Sequence, residues 1–327
     1  MDAFLWLVYH FFRKLSKVEP IGSPAAILIF LALLAVQILF GVNYVISKVV
    51  VMAFPPLVWA SFRIVVASIT LLAIVLLGKR KHPTDGAKFF IPLIGFSLLG
   101  IIINQGSFLV GLRYTTSTNS AILNTLIPVF TLLIVTLRGQ EPLTPARAVG
   151  FLSALAGVLV IRKVEDFSFS NQTMIGDLLT VLNCFSYSLF LSFSKKFLEQ
   201  HDRVWTTTWL FLYGSVGLTL VAAPDWIHFH WPAMSGMLLG CMVFAIFGGT
   251  LATYFLNIWA LSYTRSSSVA LFIYLQPVIA SLLAWVWFRE AMTPRTIFSW
   301  VLIMGGFLLA LTKPKARPLI LEASDPS

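Results

Sequence analysis

The chain has 327 residues, of which 58% are hydrophobic and only 11% charged, less than half the charged share of an ordinary soluble domain. A soluble core of this size has no room for so much apolar surface, whereas a bilayer does, because each spanning helix takes roughly 20 apolar residues to cross about 30 Å of hydrocarbon. The net charge of +10 does not signal nucleic acid: Lys and Arg sit in short clusters between apolar runs, with no basic face or arm, and read as topology signals.

Residues 1–24 read as an amphipathic N-terminal segment on the inner membrane surface, since the apolar run Ala3 to Phe12 precedes Arg13, Lys14 and Lys17, the reverse of a secretion signal. Five spans follow: Ala25 to Val49, Leu57 to Leu77, Phe90 to Leu109, Asn119 to Leu137 and Pro145 to Ile161. Five more run Asp177 to Phe197, Trp205 to Ala223, Met234 to Leu261, Ser268 to Phe288 and Pro294 to Leu311, and residues 313–327 form a tail. The expected fold is therefore an all-α membrane protein of ten transmembrane helices with short loops and no separate soluble domain. With both termini inside, the inner segments hold sixteen of the 23 Lys and Arg, which favours cytoplasmic ends and an outward loop from Arg162 to Gly176. The sequon at Asn171 in that loop matters only in a secretory-pathway organism. The short loops and tails favour a bacterial inner membrane instead.

Shifting the chain by 149 positions superposes it on itself. Gly100 falls on Gly249, Tyr114 on Tyr263, Pro128 on Pro277, Glu141 on Glu290 and Gly157 on Gly306, with no gap over nearly sixty positions. This is a duplicated five-helix unit, residues 25–161 and 177–312. Because five is odd, the copies cross the membrane in opposite senses, an inverted repeat that places a substrate site near the midplane between halves.

The stretch Gly41, Val42, Asn43, Tyr44 through Lys48, then Pro56 and Arg63, with the paired Pro128 and Glu141, Pro277 and Glu290, resembles the EamA-type members of the drug/metabolite transporter superfamily. The resemblance runs from about residue 25 to 312. It implies a 5+5 inverted-repeat bundle moving organic solutes by alternating access. Many members carry tryptophan just before the glycine of the first helix, and here Phe40 stands there.

Polar residues inside apolar spans mark the candidate substrate site, because burying them without partners is costly. They are Gln37, Asn43, Asn104, Gln105, Asn124, Asn183, Tyr187, Tyr254, Asn257 and Gln276. Each one alone can equally serve as glue between helices. Lys48 and Arg63 are expected at similar depths near the outer side, and the planar guanidinium of Arg63 suits an anionic group on the substrate. Pro128 and Pro277 interrupt their spans, leave the carbonyls of Asn124 and Ile273 without a donor, and read as hinges or cavity-openers. Glu-x-x-Thr-Pro at Glu141 and at Glu290 reads as helix-start chemistry at the membrane surface.

Small residues at Gly150, Ala154, Gly157, Gly305 and Gly306 allow close helix packing, within a monomer or across a homodimer. No carboxylate falls well inside a span, Asp177 included, so facilitated or exchange transport, or proton coupling through surface groups, is expected. The five histidines lack metal-site spacing, and no G-x-S-x-G or P-loop is present, so no enzyme, metal or cofactor is expected. Cys184 and Cys241 read as free thiols. The reading is a secondary carrier in the cell membrane, an exporter of small polar or amphipathic metabolites such as amino acids, with a drug or lipid-linked substrate exporter as the alternative. An intramembrane enzyme or receptor is the rival from another class.

Overall fold

The computed structural model describes residues 26–78, 82–83, 86–115, 117–161, 173–279, 282 and 293–311. The expectations for the N-terminal segment, for Asn171, for Glu290 and for the tail lie outside these. The described residues are helical throughout, without a strand. The first half comprises α1 (Ala26–Ala53), α2 (Pro56–Leu77), α3 (Ala87–Tyr114), α4 (Asn119–Leu137) and α5 (Pro145–Ile161). The second comprises α6 (Met174–Gln200), α7 (Arg203–Ile227), α8 (Gly236–Leu261), α9 (Ser266–Ile279) and α10 (Pro294–Ala310). Seven of these, α1 to α4 and α6 to α8, are long and apolar enough to cross a membrane, and the other three are shorter apolar helices.

Several helices run a few residues beyond the apolar stretches that announce them, because their polar ends find carbonyl partners. Lys48, near the end of α1, donates to the carbonyls of Leu112 (2.5 Å) and Thr115 (2.9 Å). Arg113 donates to Val51 O at 2.5 Å. These are cations on the orphan carbonyls of helix C-termini. Large side chains such as Leu77, Leu137, Leu220 and Met237 point outward and exposed, the surface a lipid environment covers.

The duplication recurs in the backbone. Helix α3 contains a π-helical turn over Leu98–Ile103 and α8 one over Phe247–Ala252, 149 residues later. Such turns are rare, and they leave carbonyls outside the regular ladder. Leu99 O accepts from the Ser186 hydroxyl (2.6 Å) and Gly100 O from the Tyr254 hydroxyl (2.7 Å), both from the second half. Helix α4 breaks at Asn124–Thr125, one turn before the buried Pro128. In α9 the corresponding region is a 3-10 turn over Phe272–Leu275, just before Pro277. The interruptions fall just before both prolines, but the carbonyls of Asn124 and Ile273 are not left without a donor, because the tightened turns bring Ile127 N (3.1 Å) and Gln276 N to them.

Helices α5 and α10, again 149 apart, cross at very short range. A methyl group added at Gly306 would meet Ala154 N and Gly150 O at 2.5 Å, and one at Gly157 would meet Ile303 N at 2.9 Å. Because Ile303 lies 149 residues after Ala154, as Gly306 does after Gly157, the contact is self-complementary. Ser153 Oγ reaches Leu302 O, its own counterpart, at 3.2 Å. The small-residue stripe is thus spent within one chain, except Gly305, which faces open space.

Two ends of the bundle can be distinguished. At one, Thr115 Oγ1 donates to Asp177 Oδ1 at 2.6 Å and Phe54 stacks on Phe229 with ring centroids 5.7 Å apart. At the other, Arg203 Nε donates to Ser262 Oγ at 2.5 Å and the N-terminal turn of α9 meets Glu141.

Candidate functional site

A cavity of about 590 Å³, its mouth included, lies at mid-height between the halves. Its wall is polar on one side, with Asn43, Asn104, Gln105, Asn124, Asn183, Tyr187, Tyr254 and Gln276. Aromatic and aliphatic side chains complete it: Phe40, Tyr44, Phe108, Ile127 and Ile273, with Gly249. Eight of the twelve expected substrate residues therefore meet in one place, drawn from helices of both repeats. The volume lies within the range of ordinary small-molecule sites.

The polar wall is tightly connected. Gln105 Nε2 donates to Asn104 Oδ1 (2.9 Å) and to the Tyr254 hydroxyl (2.5 Å), its counterpart at the 149-residue offset. Asn104 Nδ2 donates to Asn183 Oδ1 at 2.5 Å, and Asn183 Nδ2 to Asn124 Oδ1 at 3.1 Å. Gln37, outside the cavity, accepts from Gln276 Nε2 at 2.9 Å, joining the halves again. The π-helical turn and the break in α4 account for this placement. Asn104 directly follows the first, while Asn124 sits at the second. Gly249 leaves room for Asn43, because a side chain there would have to displace the Asn43 amide.

Besides Gln37, three expected residues stand elsewhere. Arg63 is buried behind Gln105, whose Oε1 accepts from its Nη2; its Nε has no partner. It does not share the depth of Lys48, because Gln105 lies seven residues, about 10 Å along the helix, from the Leu112 carbonyl that Lys48 takes. The two face different helical turns of α3. Lys48 lies outside the cavity wall on helix-end carbonyls. Asn257 is buried but lines no part of the cavity.

Glu141 lies between the ends of α4 and α5, at one end of the bundle, and is buried there against side-chain partners. Its Oε2 pairs with Arg147 Nη2 at 2.5 Å, and both of its oxygens accept from Ser267 of α9. Arg147 is itself buried and also donates to Pro142 O. Burial here follows from pairing, since an ion pair with every polar atom satisfied can be held away from water. The helix-start chemistry is present as well, with Thr144 Oγ1 accepting from Arg147 N at 3.3 Å and Thr293 Oγ1 from Thr296 N at 3.2 Å. Asp177 is terminal, as expected, yet 1% exposed.

The site's unexpected members carry little signal. Phe108, Ile127 and Ile273 are apolar residues in apolar runs, and Arg147 at the start of a span reads as a topology charge. Gly249 could have been found, because it repeats Gly100. Among the described residues no group of three His, Cys, Asp or Glu could hold a metal ion.

The sequence profile described as the EamA-like transporter family matches residues 26–163 and again residues 174–312. An uncharacterized transporter of Archaeoglobus fulgidus is 24% identical over 86% of this chain and 97% of its own length. The uncharacterized transporter YoaV of Bacillus subtilis is 22% identical over 86% and 96%. A WAT1-related protein of Arabidopsis thaliana is 23% identical over 90% and 84%. A solved crystal structure of 17% identity shares the fold with a TM-score of 0.67, over 86% of this chain and 96% of that one. With two copies of the family's unit spanning nearly all of its helices, the chain belongs to the EamA-like transporter family and is a multi-pass membrane transporter, not an enzyme.

Proposed function

We propose that the chain is a secondary transporter of the cell membrane, working as an exporter of small polar or amphipathic metabolites, amino acids among them, by alternating access around the central cavity. Its ten spans form two five-helix repeats of opposite sense, with both termini cytoplasmic. The opposite sense is supported by the ends of the bundle: α1 finishes where Lys48 meets Leu112 and Thr115, and α6, its counterpart, begins there, where Asp177 meets Thr115. One observation carries the function. Eight polar side chains inside the helices converge on one cavity, and both repeats supply them.

Alternating access requires the repeats to move against each other around that cavity. The interrupted helices α4 and α9 are the natural joints, with Pro128 and Pro277 setting where they bend. The unit of transport is a monomer, or a homodimer joined away from the small-residue stripe, which apart from Gly305 is used inside the chain. Purified protein in liposomes should catalyse counterflow of radiolabelled metabolites across a broad panel. Movement of no solute, beside a ligand-triggered signal, would overturn the transporter mechanism. Growth rescue of metabolite-overloaded cells tests the outward direction.

A further inference from the structure

Four amides of the cavity wall, Gln105, Asn104, Asn183 and Asn124, point one way; Gln276, which donates to Gln37, and Asn43, which accepts from Ser47, stand outside this chain. Arg63 carries only donors, so the Gln105 oxygen must face it, and that choice fixes the next. From Arg63 Nη2 to Gln105 Oε1, Gln105 Nε2 to Asn104 Oδ1, Asn104 Nδ2 to Asn183 Oδ1, Asn183 Nδ2 to Asn124 Oδ1, and Asn124 Nδ2 to Ser120 O (2.7 Å), each donor points away from the guanidinium. Hydrogen bonds in such a chain polarise one another.

This direction decides what the cavity offers a solute. Every amide oxygen in this series already accepts at least one bond, and Asn104 Oδ1 two, whereas among the described residues Asn183 and Asn124 each keep a second N–H with no partner, and the one bare amide oxygen facing the cavity, Gln276 Oε1, stands outside the series. Arg63 itself is 1% exposed, and no carboxylate among the described residues pairs with it. A buried cation of this kind lacks a compensating charge. No Asp or Glu among the described residues lines the cavity, so an ammonium would find no acid among them there. Phe40, Tyr44 and Phe108 supply an apolar face for the rest of the molecule.

We propose that the chain of amides started by Arg63 makes the cavity an anion-selecting site, which reads the carboxylate of an organic solute and not its ammonium group. The carboxylate takes the spare N–H groups of Asn183 and Asn124, and the apolar body lies on the aromatic face. Arg63 is a positioning residue: it never touches the solute and acts by orienting Gln105. This deepens the transporter reading, since it names the solute class for the same cavity.

Three ligands of one shape separate the possibilities in detergent-purified full-length protein: phenylalanine, 3-phenylpropionate, which lacks the ammonium, and 2-phenylethylamine, which lacks the carboxylate. Isothermal titration and thermal shift should show 3-phenylpropionate binding at least as well as phenylalanine, and 2-phenylethylamine about tenfold or more weaker, the size of a lost charged hydrogen bond. Gln105→Glu supplies a counter-charge to Arg63 but cannot donate to Asn104. It should raise the melting temperature while abolishing the preference for the carboxylates. Arg63→Met should lose the preference and Arg63→Lys should keep most of it, a pattern that a merely structural role does not produce.

Equal binding of all three ligands, no binding of the carboxylates to the wild type, or carboxylate preference retained in a folded Gln105→Glu protein would each overturn the proposal. Selective binding without counterflow in liposomes would instead leave the anion site standing and remove the transport mechanism.

Discussion

At the scale of single residues, charge that is buried or half-buried in this protein is held by identifiable partners, and each pairing carries a consequence. Glu141 is joined to Arg147 and to Ser267 of the other repeat. Glu141→Gln leaves Arg147 buried without its counter-charge and should destabilise the protein by about 3 kcal/mol. Replacing both partners together, Glu141→Leu with Arg147→Met, should recover most of that loss, measured as thermal unfolding in detergent. Lys48 is committed to the carbonyls of Leu112 and Thr115, so Lys48→Met should lower stability by about 1 to 2 kcal/mol and leave the order of ligand preference unchanged. A changed preference would return Lys48 to the binding wall. The rule that polar residues inside apolar runs mark a site found the cavity's amides and tyrosines. It failed for Asn257, whose counterpart in the first repeat, Phe108, lines the cavity. Spacing gives depth in the membrane but not the direction a side chain faces.

At the scale of elements, helix boundaries, the duplicated units and the proline breaks were legible because they depend on local chemistry: apolar length, caps, and a missing N–H. The π-helical turns were not. Leu98 to Ile103 is an ordinary apolar stretch, and only the partners of its displaced carbonyls, far away in sequence, reveal the extra width. Packing of α5 against α10 depends instead on bare backbone. Gly306→Ala brings a methyl to 2.5 Å from Ala154 N, where no side chain can yield, and should cost about 1 to 3 kcal/mol. Gly305→Ala, facing open space, should be neutral or slightly stabilising, since alanine favours helix over glycine. Melting curves of the two variants measured side by side test whether the stripe is internal to the chain.

At the scale of the whole molecule, the 149-residue offset gave the duplication before any coordinates, and the excess of Lys and Arg on one side gave an orientation. In the proposed orientation, with both ends cytoplasmic, the exposed turn between α7 and α8 lies outside. His230→Cys in a cysteine-free background should therefore react with an impermeant thiol reagent in intact cells. Labelling only after the membrane is opened would invert the assignment. What the sequence could not give is the contact between repeats, which depends on pairs such as Asn104 and Asn183, 79 residues apart. That bond belongs to the cavity wall and to the seam between repeats at once. Any relative displacement of the repeats therefore changes the hydrogen-bonding set that an occupant meets, so occupancy and shape share one free-energy cycle. A solute held more tightly in one arrangement than the other shifts their populations by that difference in affinity, and a solute bound equally in both leaves the balance where it was.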